Sequence, residues 1–97
     1  MPQVRIDTYV IDTLMADLVG HDRQPSAFLV YLQLWRRSTG RKDGGRVSHQ
    51  QMADATGLSK SAVQAAVRTL TRRRLIRVTR ASLTDVPAYT VLRPWRR

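Results

Sequence analysis

The sequence predicts a single, mainly α-helical domain that ends in a small antiparallel β-hairpin. Ninety-seven residues, 42% of them hydrophobic and 25% charged, suit one modest core rather than a disordered chain or two domains. Apolar residues recur at helical spacing through successive stretches between residues 12 and 73. After residue 75 the pattern switches to alternation, as half-buried strands require.

Taken in order, Val4 and Ile6 alternate with Arg5 and Asp7 and suggest a short extended segment. Asp12 can cap a first helix in which Leu14, Met15, Leu18 and Val19 share a face, and Gly20 fits the left-handed position that ends it. Pro25 or Ser26 opens the next helix, with Phe28, Tyr31, Leu32 and Trp35 as a buried stripe, and its end falls near Ser38 to Gly40. That aromatic stripe reads as core, because so small a domain has few other aromatics to fill its interior. Ser38 to Gly45 reads as a loop, with Asp-Gly-Gly tolerating positive φ. Arg46 and Val47 make a short strand before Ser48.

Charge is distributed unevenly. Residues 1–35 hold two Arg against four Asp, a net −2, whereas residues 36–97 hold thirteen Arg and two Lys against three Asp, a net +12. An imbalance of that size points to a polyanionic partner. The preference for arginine suits fork-like bonding to phosphates and guanines. No cysteine is present, which excludes disulfides, thiolate metal sites and cysteine nucleophiles. The longest apolar run, near Ala27 to Leu32, is far short of the ~20 residues of a membrane span. Asp7 and Asp12 stand where a signal peptide avoids acids. The chain is therefore expected to be cytoplasmic, with no membrane partner.

Residues 48–70 carry the most specific pattern. Ser48 and Gln51 form a capping box, Met52, Ala53 and Thr56 face inward, Gly57 permits a tight turn and Leu58 plugs the space beneath it. Ser59 caps a further helix in which Ala62, Val63, Ala66, Val67 and Leu70 fall on one side. Lys60, Ser61, Gln64, Ala65, Arg68 and Arg72 fall largely on the other. The run from Ser48 to Leu70 resembles the helix-turn-helix of bacterial DNA-binding proteins, with Met52, Ala53, Gly57, Leu58, Val63 and Ala66 at the motif's apolar, alanine and glycine positions. Its continuation from Thr71 to Arg80 is similar to winged helix-turn-helix regulators of the MarR and GntR type, except that Arg74 stands where that pattern usually has a helix-ending glycine.

The resemblance implies a winged helix-turn-helix fold and binding of double-stranded DNA, with helix 59–73 in the major groove. A major groove admits one α-helix, and Arg68 or Gln64 can pair bidentately with guanine or adenine. Ser59, Lys60, Ser61, Gln64, Ala65 and Arg68 are the expected base and groove contacts. Ser48, His49, Arg72, Arg73, Arg77 and Arg80 are the expected phosphate or wing contacts. The wing is expected from two strands, Leu75 to Arg80 and Ala88 to Arg93, joined by Ala81 to Pro87.

Plainer readings compete. Arg72, Arg73 and Arg74 can be a solvated helix end held by the helix dipole, and Ser48 and Ser59 can be caps alone. Trp95, in the basic tail at residues 94–97, fits a tail without fixed structure, a DNA-contacting arm or a strand end lying on the first helix. His21 and His49 are too isolated for a metal site, and Asp7, Asp12, Asp17 and Asp22 step by five residues, which separates them around a helix. No metal, cofactor or small-molecule ligand is expected. No catalytic constellation is visible, so an enzyme is not expected. The leading expectation is a transcription regulator. The alternatives are a DNA-binding module of plasmid or phage replication or partition, since replication-initiator domains are also similar, and a winged helix used for protein or RNA contact. Residues 1–20 read as an extension dispensable to the winged-helix core, suited to homodimer contact through Leu14, Met15 and Leu18 or the Val4 to Ile6 segment.

Overall fold

The computed structural model describes residues 1–38 and 45–96. Most of the loop expected over Ser38 to Gly45, and the last residue of the basic tail, lie outside the described residues. Residues 1–7 form no strand; Val4 lies against the core while Ile6 is exposed. A helical stretch follows as two segments, Val10–Leu14 and Ala16–His21. Its ladder is of the wide i+5 kind: the amide of Met15 donates to Val10 O, and that of Asp22 to Asp17 O at 2.8 Å. Residues four apart thus stay in line. Val10, Leu14 and Leu18 are buried, while Ile11, Met15 and Val19 form a parallel exposed line.

Three expectations for this region are corrected. Asp12 lies inside the first turn rather than capping it, and no side-chain cap is present. Gly20 lies within the helix, and the left-handed residue that redirects the chain is Arg23, with φ 55°. The segment also belongs to the core. Burying an aliphatic side chain stabilises by about 1.5–3 kcal/mol, and Val10, Leu14 and Leu18 are each at most 2% exposed.

Helix α1, Pro25–Ser38, buries Ala27, Phe28, Val30, Tyr31, Leu34 and Trp35, a wider face than the aromatic stripe alone. Its Tyr31 hydroxyl donates to Leu92 O at 3.0 Å and so ties the helix to the chain beyond the hairpin. Helix α2, His49–Thr56, contributes Met52 and Ala53 to the core, and helix α3, Lys60–Arg72, contributes Val63, Ala66 and Leu70. The one buried polar residue of α3, Thr69, donates to Gln24 Oε1 at 2.8 Å, which satisfies its hydroxyl.

Strands β1, Ile76–Thr79, and β2, Ala88–Val91, pair antiparallel with Ile76 opposite Val91 and Val78 opposite Tyr89. The alternation read from the sequence holds: Ile76, Tyr89 and Val91 are buried and Val78 half-buried, while Arg77 and Thr90 point to solvent. The strand expected at Arg46 and Val47 reduces to one bridge, Arg46 with Ala88, on the edge of β2.

The C-terminal residues close on the N-terminal ones. Trp95 stacks on Tyr9 with ring centroids 4.6 Å apart and lies parallel to Trp35 at 6.4 Å. Its indole N–H donates to Asp7 Oδ2 at 2.8 Å, and Arg96 donates to both oxygens of the same carboxylate at 2.7 and 2.6 Å. Of the readings open for Trp95, it is the packed one that the structure takes. No helix among the described residues is long and apolar enough to cross a membrane.

Candidate nucleic-acid interface

Local chemistry sets α2 and α3 against each other. The Ser48 hydroxyl accepts from the Gln51 amide at 3.0 Å, and the Gln51 side chain accepts from the Ser48 amide at 2.9 Å, which fixes where α2 begins. Gly57 ends α2 in the left-handed conformation, φ 79°, and its amide donates to Ala53 O. Leu58 beneath the turn is half-buried against the core. The Ser59 hydroxyl accepts from the Ala62 amide at 3.1 Å and starts α3.

The far end of α3 is closed by Arg74, which adopts φ 57°. The amide of Arg74 donates to Thr71 O at 3.0 Å and that of Leu75 to Leu70 O at 2.9 Å. These are the two hydrogen bonds of a Schellman ending, so the arginine takes the conformation a glycine usually supplies. The turn into β1 therefore keeps the expected shape.

Helix α3 is two-sided. Val63, Ala66, Thr69 and Leu70 are buried; Lys60, Ser61, Arg68 and Arg72 are exposed; Gln64 and Ala65 lie between. Among the described residues no hydrogen bond or ion pair engages Gln64 or Arg68, which leaves both heads open. Ser59 is exposed and approaches Ser61 at 3.2 Å between hydroxyl oxygens, so both sit at the helix start. Arg77 and Arg80 are exposed along and just after β1, and Arg80 donates to Leu83 O at 3.4 Å.

Arg73 behaves otherwise. Its guanidinium donates to both oxygens of Asp22 at 3.0 Å and lies 3.8 Å from Asp17, so it binds α3 to the N-terminal helix. A side chain committed to two carboxylates is a poor phosphate ligand. Of the residues expected to meet phosphate, Arg73 is thus the one that the described fold pairs with carboxylates.

One grouping emerges only in three dimensions. His49 at the start of α2, Lys60 at the start of α3 and Arg80 beyond β1 converge on a cleft of about 260 Å³, whose outer wall is Thr84, Asp85, Val86 and Pro87 of the wing loop. Burial, then the Arg80 and Lys60 charges, hold the His49 imidazolium below its usual pKa. The sequence names these three side chains separately, and spacing alone does not unite residues carried by three elements.

A three-helix cluster with a capped helix-turn-helix and a following two-stranded wing is a winged helix-turn-helix domain. A family model described as a helix-turn-helix domain matches residues 24–76, from the start of α1 through α3 to the first residue of β1, and the chain belongs to that family. This places it among domains whose common role is DNA binding. The comparisons with curated proteins and with solved structures returned no match.

Proposed function

We propose that this chain binds double-stranded DNA in a sequence-specific way, with α3 in the major groove, and acts as a cytoplasmic, bacterial transcription regulator without enzymatic activity. The observation that carries the reading is the two-sidedness of α3: four residues anchor it in the core while Lys60, Ser61 and Arg68 stand exposed on the other side, with Gln64 and Ala65 half-buried beside them. Gln64 and Arg68 read bases; Ser59, Lys60 and Ser61 meet the groove wall. Ser48, His49, Arg72, Arg77 and Arg80 hold phosphates on either flank.

The protein is further proposed to act as a homodimer. A single recognition helix covers only a few base pairs, and two-fold sites extend the contact. Leu14 and Leu18 cannot serve, being 2% and 0% exposed. The line formed by Ile11, Met15 and Val19, on the acidic third of the chain, takes their place.

Selection of bound sequences from a random duplex library tests the function. A preferred site is expected, and its position upstream of a gene rather than within an origin distinguishes regulation from replication. With ~4–6 phosphates neutralised per subunit, log K should fall against log salt with a slope of about −4 to −5. A flat salt response, or no preferred sequence, overturns the reading.

A further inference from the structure

We propose that the cleft between the start of α2, the start of α3 and the wing loop seats one phosphodiester group of bound DNA, and that His49 takes up a proton as it does so. The inference rests on the DNA-binding reading above and assigns a specific role to one part of that surface. DNA affinity then depends on pH through this one side chain.

His49, Lys60 and Arg80 reach the cleft from three separate elements, so none is there merely as the neighbour of another along a helix. The Ser48 hydroxyl in the same wall accepts from the Gln51 amide, which leaves its own O–H free to donate into the cleft. Lys60 has no bonding partner among the described residues, and the single contact of Arg80 to Leu83 O leaves most of its donors open. The space, about 260 Å³, accommodates a phosphate with its ester oxygens.

Electrostatics supplies the proton coupling. In the free protein the imidazole is partly desolvated and faces two fixed cations, which disfavours its protonated form. The acid on the cleft wall is Asp85, on the wing loop; Asp54, on the same helix as His49, is held by Gln50 at 3.0 Å. A phosphodiester brought between Lys60 and Arg80 reverses the local field, and the rest of the duplex adds to it. The imidazolium then gains an anionic partner and its affinity for the proton rises. Because the bound form holds more protons than the free form, affinity must increase as pH falls.

The test measures duplex affinity at fixed salt from about pH 7.5 to about pH 5.5, with His49 followed by NMR titration in the free protein and the complex. The wild-type association constant should rise about three- to tenfold over that range. His49→Gln should flatten the profile, and His49→Lys should flatten it at high affinity, since it carries the charge permanently. His21→Gln should keep the wild-type slope, because His21 is exposed beside Asp22 and outside the cleft. In the NMR titration His49 should titrate below the usual histidine range when free and higher when bound. Binding whose pH profile is flat in the wild type, or unchanged in His49→Gln, overturns this inference and leaves the DNA-binding reading standing. Absence of duplex binding at every pH overturns both.

Discussion

Arg74 and Gly57 occupy the same left-handed region of backbone space, with φ 57° and 79°, yet only one of them is a glycine. The left-handed conformation costs a residue with a Cβ roughly 1–2 kcal/mol, partly offset by glycine's greater chain entropy when unfolded. Arg74→Gly should therefore stabilise the domain by about 0.5–1 kcal/mol in urea unfolding. Gly57→Ala should destabilise it by about 0.5–1 kcal/mol, the same balance with its sign reversed. The space around Gly57 is open, with nothing within 4 Å of an added Cβ, so that loss is one of conformation alone. A second residue, Asp7, contributes to stability in acid. Asp7 accepts from Arg96 and Trp95, and these bonds hold its carboxyl down at about 2 from an ordinary 3.8. Its folded pKa is depressed, so the stability it contributes is fully present above about 3.8 and is lost as pH falls toward about 2. Acid unfolding followed by far-ultraviolet circular dichroism should show that transition shallower in Asp7→Asn, with the variant less stable near neutrality. An identical acid limb in both proteins would assign the acid response to other groups.

Helix α3 and its C-cap carry two kinds of arginine, and mutation should separate them. Gln64→Ala or Arg68→Ala should weaken the preferred site by ~1–3 kcal/mol for each bidentate base pairing removed and hardly alter binding to random duplex. Arg73→Ala should instead lower folding stability by about 1 kcal/mol, a figure discounted for its partly exposed ion pairs, and leave site preference intact. Equal losses on specific and random DNA for the first pair would make them phosphate ligands. The contrast also marks what the sequence discloses at this scale. The capping box at Ser48, the Gly57 turn, the two faces of α3 and the alternation of the wing are local patterns, each complete within a few residues, and each is legible. The wide-turn ladder of residues 10–21 has no local signature. Nor has the Arg73 to Asp22 pair, whose members are 51 positions apart. Arginine in a basic run reads as part of that run until the fold shows which acid it faces. The same reason hides the cleft, whose three cationic side chains are visible singly and whose meeting depends on how the wing folds back over α2.

Across the whole molecule, the acidic third is legible in the sequence as something set apart in charge, but its place in the core is not. Val10, Leu14 and Leu18 close that core, and the exposed line beside them is what is free for a second copy. Met15→Glu should leave the fold intact and convert a dimer to a monomer in light scattering, while Leu18→Glu should unfold the chain. A wild-type monomer at high concentration would remove the dimer from the proposal. The aromatic contact between the chain's two ends has an optical consequence. Both tryptophans, Trp35 and Trp95, lie in one near-parallel stack with 3° between their planes, and neither belongs to α2, α3 or the wing strands. Indole emission, with any exciton signal of the pair in the near-ultraviolet, therefore reports whether the two ends are joined. A duplex that changes this light on binding therefore alters the joined ends, by contact there or by a shift passed on through α1.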